Sequence, residues 1–115
     1  MMSDCIFCKI ANGEIPSEKV FESANVLAFK DINPEAPIHI VIIPRKHIES
    51  VNHIEDQDVN IIGEIFQAAK EIAKRFGIAD DGYRIVTNCG EKAGQTVKHL
   101  HYHLLGGRDL KWPPG

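Results

Sequence analysis

Three histidines at alternate positions, in the run His99-Leu100-His101-Tyr102-His103-Leu104, constrain this chain more than any other stretch of it. Period two is the signature of an extended strand, because successive side chains of a strand point to opposite faces. The three imidazoles are therefore expected on one face, with neighbours in the series roughly 6.5 to 7 Å apart. Leu100, Tyr102 and Leu104 then share the opposite face and need an apolar partner. A core face is not normally built from histidines, since each ring brings two nitrogens that need partners. The imidazole side suits a cleft. A solvated histidine tract or a purification tag would not alternate with large apolar residues inside a chain.

The apolar partner is visible upstream. Between Glu55 and Phe76, the residues Ile62, Ile65, Phe66, Ala69, Ile72, Ala73 and Phe76 fall at steps of three and four, which predicts one long amphipathic helix with Gly77 as its stop. Ile6, Phe7 and Ile10 predict a short helix over Cys5–Ala11, ended by Asn12-Gly13. Strands are expected at Lys19–Glu22, Asn25–Lys30, Ile38–Ile43, Tyr83–Asn88 and His99–Leu105. Ile38–Ile43 is almost continuously apolar and β-branched, as a central strand is, and His39 is out of character there. The sum is an α+β chain with an antiparallel sheet of about five strands, one long helix and a short N-terminal helix. With 115 residues and no linker or repeat, residues 1–115 read as one domain.

Composition narrows the partners. Thirteen basic against sixteen acidic side chains leave a formal net charge of -3, which argues against a sequence-blind grip on nucleic acid. No apolar run approaches the roughly 20 residues of a membrane-spanning helix. The opening residues, from Met1 to Cys8, show no basic segment followed by an apolar run, so no export signal is expected. Cys5, Cys8 and Cys89 make an odd count that does not read as a disulfide framework, and a reducing, cytoplasmic setting is expected. Cys89 reads as a buried structural thiol.

Three aligned histidines admit two sharp readings. They can ligate a catalytic metal, or one can act as a nucleophile that its neighbours orient. The segment just before them, Gly94-Gln95-Thr96, favours the second, because free backbone N–H groups and a hydroxyl are the usual equipment for holding phosphate oxygens. A phosphate cradle beside an imidazole points to attack by nitrogen on phosphorus, with water completing a second in-line step.

His-Leu-His-Tyr-His-Leu-Leu over 99–105 resembles the histidine triad, His-φ-His-φ-His-φ-φ with φ apolar, of the HIT family of nucleotide hydrolases and transferases. The resemblance extends over nearly the whole chain. Ile6-Phe7-Cys8-Lys9-Ile10, Phe29-Lys30-Asp31-Ile32, Pro44-Arg45-Lys46-His47-Ile48, Gly94-Gln95-Thr96-Val97 and Trp112-Pro113-Pro114-Gly115 are all similar to the Hint branch. That resemblance implies a homodimer that binds purine nucleotides and hydrolyses nucleoside phosphoramidates such as AMP linked to an amine. By the same resemblance, His101 is the nucleophile that becomes nucleotidylated, and His39 is a fourth histidine supporting the triad. His103 and the backbone of Gly94, Gln95, Thr96 and Val97 hold phosphate oxygens. Thr96 stands where the branch often has serine, and its hydroxyl assists the leaving amine. Asp31 takes the ribose hydroxyls, Asn88 lies near phosphate and ribose, and Phe7, Ile10, Phe29, Ile32 and Val41 wall the base. Trp112 is expected to reach the partner subunit's site.

Cys5-x-x-Cys8 departs from the metal-free animal members and resembles bacterial relatives with structural zinc. The implied ligands are Cys5, Cys8, His47 and His99, a set that closes a tetrahedral site. A thioredoxin-like redox role lacks the βαβ context it requires. Two other functional classes stay open at this point: a nucleotide-sensing or scaffold protein with incidental hydrolysis, and a metal-dependent hydrolase that chelators would silence.

Overall fold

Ile38–Pro44, the almost wholly apolar run, becomes the central strand of the sheet, and everything else is placed from it. The computed structural model describes residues 4–115. Met1, Met2 and Ser3, part of the stretch read as lacking an export signal, lie outside the described residues. Along the chain come α1 (Ile6–Ala11), β1 (Lys19–Glu22), β2 (Val26–Lys30), β3 (Ile38–Pro44), α2 (Val59–Arg75), β4 (Tyr83–Val86) and β5 (Tyr102–Gly106). All strand pairs are antiparallel, in the order β1-β2-β3-β5-β4. Among the described residues no helix is long and apolar enough to cross a membrane.

Strand alternation sorts the apolar side chains into two layers. Val26 and Ala28 of β2, Ile40 and Ile42 of β3, and Leu100, Tyr102 and Leu104 pack against Ile65, Ala68, Ala69 and Ile72 of α2. Leu27, Phe29, Val41 and Ile43, one residue out of phase, pack against Phe7 and Ile10 of α1. β3 is apolar at nearly every position because both of its faces are covered. The triad histidines take the α1 side.

α2 ends as the sequence indicated. Gly77 has φ +74°, its N–H donates to Lys74 O (3.2 Å), and the Ile78 N–H donates to Ala73 O (3.0 Å). This pair of bonds is the Schellman motif, which needs the left-handed residue that glycine supplies without strain.

Several expectations need correction. The long helix is α-helical only from Val59, and Asp56–Asp58 forms a separate 3-10 turn. There the Asp58 carboxylate accepts from Glu55 N (2.9 Å) and pairs with Lys46 Nζ (2.6 Å), which ties the first turn to the end of β3. Phe66, placed on the buried stripe, is 47% exposed, with its ring at a steep angle to that of Tyr102, while Ala68 takes the buried position. The last strand starts at Tyr102 and not at His99. Its upstream backbone groups are engaged elsewhere: Leu100 N donates to Ile48 O (2.6 Å), and the His99 and His101 carbonyls accept from side chains. The strands expected from Asn25 and up to Asn88 also overrun the observed ones, by one and two residues.

Candidate active site and metal centre

The three histidines keep their shared side although only His103 lies within β5. His101 and His103 rings are 5.1 Å apart between centroids, and the Phe7 ring of α1 stands edge-on to both His101 (5.0 Å) and His99 (5.9 Å). His39 comes from β3, where Val41, two residues on, pairs with His103 across the ladder. The buried His39 therefore belongs to the same group, with its Nε2 2.8 Å from His103 Nδ1.

Hydrogen-bond partners fix the tautomer of each ring. His101 Nδ1 is 2.8 Å from the His99 carbonyl, which only accepts, so Nδ1 carries the proton and Nε2 keeps its lone pair. The Glu35 N–H donates to His39 Nδ1 (3.0 Å), so His39 carries its proton on Nε2 and donates it to His103 Nδ1. His103 is then left with a proton on Nε2. His101 thus offers a lone pair and His103 a donor, on adjacent rings of one surface. Burial, with His101 and His39 adding to it and Asp31 opposing, pushes His103 down to about 4, so the ring is neutral at physiological pH. Thr87 Oγ1 donates to the His101 carbonyl (2.7 Å) and anchors the residue from β4's end.

The surface opens into a cleft of about 380 Å³. Of the expected residues, Phe7, Ile10, Phe29, Asp31, Ile32, Val41, Thr96, Val97, His101 and His103 line it. Gly94, Gln95, Asn88 and Trp112 do not. The Gln95 side chain is engaged within the loop, accepting from Gly90 N (2.9 Å) and donating to Glu49 O (2.8 Å) and Val97 O (3.0 Å). It shapes the loop that presents Thr96. Trp112 is 81% exposed, on a tail held by Arg84, which donates to Lys111 O (3.0 Å) and Leu110 O (3.3 Å). Asp31 Oδ1 accepts from Asn33 N (2.8 Å) and Oδ2 lies 3.4 Å from His39 Nε2, so the carboxylate is held rigid at the cleft wall. Sequence reasoning missed Ile6, Ile15, Pro16, Ser17, Lys30 and Asn33, which also line the cleft. It missed Thr87 too. No periodicity marks the Ile15–Ser17 segment, and only the pairing of β1 with β2 brings it there.

On the other side of Phe7, the four expected metal ligands converge, their ligand atoms all within 4.8 Å of one another. Cys5 Sγ and Cys8 Sγ lie 3.3 and 3.5 Å from His99 Nδ1, and Cys8 Sγ lies 3.4 Å from His47 Nδ1. A tetrahedron with Zn–S of about 2.3 Å and Zn–N of about 2.05 Å has edges of about 3.3 to 3.8 Å. The side chains therefore stand at near-ligating separations already. His99 Nε2 donates to the Pro44 carbonyl (2.8 Å), which turns the Nδ1 lone pair toward the thiols, the outer-shell arrangement of a metal-binding imidazole. Burial, reinforced by the Cys5 thiol beside it, pushes Cys8 up to about 11, and burial pushes the fully enclosed His99 down to about 4. Two soft thiols and two imidazoles converging on one point are a donor set for zinc. With four protein ligands no position is left for substrate, which describes a structural centre. Arg45 secures the same corner, donating to Ala11 O (3.1 Å), Ser23 O (2.9 Å) and Glu22 Oε1 (3.2 Å).

Cys89 is not buried as expected. It is partly exposed, and its thiol is held below the ordinary value first by the Asn52 backbone and then by the Ser50 hydroxyl.

The family model for the HIT domain matches residues 12–110. A 14 kDa zinc-binding protein of Zea mays is 48% identical over 115 residues, covering 98% of this chain and 89% of the maize chain. The crystal structure of a HIT family hydrolase from Legionella pneumophila superposes with a TM-score of 0.96 at 51% identity, covering 97% of this chain and 100% of the other. A histidine triad nucleotide-binding protein from Candida albicans superposes with a TM-score of 0.85 at 36% identity, covering 93% and 77%.

Proposed function

Because this chain belongs to the HIT family, we propose that it is a hydrolase of purine nucleoside 5′-phosphoramidates that works through a covalent nucleotidyl-histidine on His101. The observation that carries this reading is the 2.8 Å contact between His101 Nδ1 and the His99 carbonyl, which leaves the Nε2 lone pair as a nucleophile. Attack by Nε2 on phosphorus breaks the P–N bond in line, and the amine departs with a proton relayed from solvent through the Thr96 hydroxyl; the water of the second step gives that proton back. The imidazole gains positive charge as the N–P bond forms. The His99 carbonyl, bound to Nδ1–H, is aligned to stabilise that charge without reorganisation. His103 Nε2–H donates to a phosphoryl oxygen, and the Thr96 hydroxyl serves the leaving amine. Water then attacks phosphorus from the opposite side and releases the nucleotide and free His101.

Asp31 takes the ribose hydroxyls, which suits a carboxylate with two acceptor oxygens. Phe7, Ile10, Phe29 and Val41 offer the base an apolar bed. Zinc on Cys5, Cys8, His47 and His99 supplies cross-linking and no chemistry at phosphorus, since these four side chains complete its shell. It keeps α1, and with it Phe7, against the triad. A homodimer is part of the reading, with the exposed Trp112 of one tail reaching the partner's cleft.

Turnover of adenosine 5′-phosphoramidate by the wild type and by His101→Ala tests the proposal. The expected result is loss of turnover in the mutant and its survival during brief exposure to a chelator. A folded wild type that binds AMP but turns nothing over would replace catalysis with nucleotide sensing. Turnover silenced at once by chelation would transfer the chemistry to a metal.

A further inference from the structure

Ser17 lies just ahead of β1 and forms part of the cleft wall beside Ile15 and Phe29. Its Oγ is sealed from solvent without a hydrogen-bond partner, the only buried side-chain nitrogen or oxygen among the described residues in that condition. A buried hydroxyl left unpaired destabilises the protein that carries it, and alanine at this position would carry no such cost. The segment around it is held in place. Glu18 O accepts from Lys30 N (3.0 Å), and the Glu18 carboxylate pairs with Lys30 Nζ (2.7 Å), which brings Ser17 alongside Asp31 at the end of β2.

The rest of that wall is mostly apolar. Phe29 and its neighbours offer contact area and no hydrogen bond, Lys30 is engaged by Glu18, and Asn33 is exposed. The Ser17 side chain has one heavy-atom rotor, so a turn about χ1 is the only movement needed to re-aim Oγ at a ligand. In the free protein the hydroxyl forfeits a bond, and a base with a ring nitrogen within reach restores it. That difference between the free and bound states is what makes a group discriminate ligands.

Resting on the nucleotide reading above, we propose that Ser17 is a base-reading residue, its hydroxyl donating to a ring nitrogen of the bound purine. The role lies outside the triad and the ribose carboxylate. It assigns base preference to a residue that no motif marked.

Binding of AMP and of its 1-deaza, 3-deaza and 7-deaza analogues to wild type and Ser17→Ala, measured calorimetrically, tests it. The Ser17→Ala protein is expected to melt no lower than wild type, because the removed hydroxyl makes no bond. Its affinity for AMP should fall about 3- to 10-fold, the range of one neutral hydrogen bond. One deaza analogue should lose a similar factor on wild type and none further on Ser17→Ala. Equal AMP affinity for the two proteins would overturn the inference while leaving the nucleotide reading intact. A melting temperature that drops in Ser17→Ala would overturn it as well, by revealing a structural partner. So would a penalty that falls on 2′-deoxy-AMP and spares every deaza analogue, since the hydroxyl would then read the ribose. A folded wild type that binds no AMP would overturn the nucleotide reading itself, and this inference with it.

Discussion

At the scale of single residues, the chemistry rests on which nitrogen of each ring holds a proton. His39 Nδ1 is pinned by the Glu35 N–H at 3.0 Å, and its Nε2 therefore donates to His103 at 2.8 Å. This relay predicts graded losses from two substitutions. His103→Phe removes a donor to the phosphoryl group and should lower kcat by about 10²–10³, the usual effect of deleting one such donor. His39→Phe leaves the donor ring in place but frees its tautomer, and should cost less. Rapid-quench single-turnover kinetics on the three proteins would check the ranking. A larger loss from His39→Phe than from His103→Phe would contradict the relay. Sequence reading singled out both histidines, His39 as an imidazole misplaced in an apolar strand. It had no access to the Glu35 amide or to Thr87, which act through backbone groups that no side-chain pattern records.

At the scale of elements, α1 is too short to be stable alone. Its six residues are held by Phe7 and Ile10 packed on the sheet, by the Arg45 bond to Ala11 O, and by the Cys5, Cys8, His47 and His99 cluster. Since α1 also delivers Phe7 and Ile10 to the cleft, metal and ligand binding are linked through it. Cys8→Ser is expected to reduce zinc from about one per chain to a substoichiometric amount. The same change should lower the melting temperature and weaken AMP binding together, since a structural metal contributes directly to folding. Elemental analysis, thermal melts and calorimetry on one preparation would show this. Full zinc retention would refute the ligand set, and unchanged AMP affinity would refute the coupling through α1. The four ligands could be named from sequence because their residue types are distinctive. Their near-tetrahedral spacing could not, since His47 and His99 meet the Cys5–Cys8 turn only after β3 is in place.

Across the whole molecule, buried ionisable groups set an acid limb to stability. His103 is depressed to about 4 in the fold, against an ordinary value of 6.5. Between those values the unfolded chain binds the extra proton, so stability rises with pH there and is lost as pH falls from about 6.5 toward about 4. Asp58 is held below its ordinary 3.8, first by its hydrogen bond from Lys46 and then by the Glu55 amide. Its contribution is present above that ordinary value and is lost as pH falls through the lower folded one. Urea midpoints measured from pH 7 downward should therefore decline in two stages. Lys46→Met should shrink the later stage and end it at higher pH while leaving the earlier one, and a later stage unchanged in that variant would contradict the assignment.

The strand and helix character of most segments was decided by the chain's own periodicity. Apolar residues at steps of three and four cannot cover a strand face, and alternating ones cannot cover a helix face. The continuous run of β3 likewise announced a strand covered on both sides. Side chains of distinctive chemistry, the histidines and the Cys5–Cys8 pair, announced where the chemistry would lie. The tertiary structure decided what depends on backbone groups from elsewhere in the chain. Leu100 N binds Ile48 O and Thr87 binds His101 O, and these bonds shorten β5 to Tyr102–Gly106. Asp58, tied to Lys46 and Glu55, delays α2 to Val59. The strand-edge contact of Glu18 with Lys30 carries Ser17 into the cleft. Side-chain patterns record which face a residue prefers. Hydrogen bonds between distant segments depend on where the fold places the partner, and that information is spread over the whole chain.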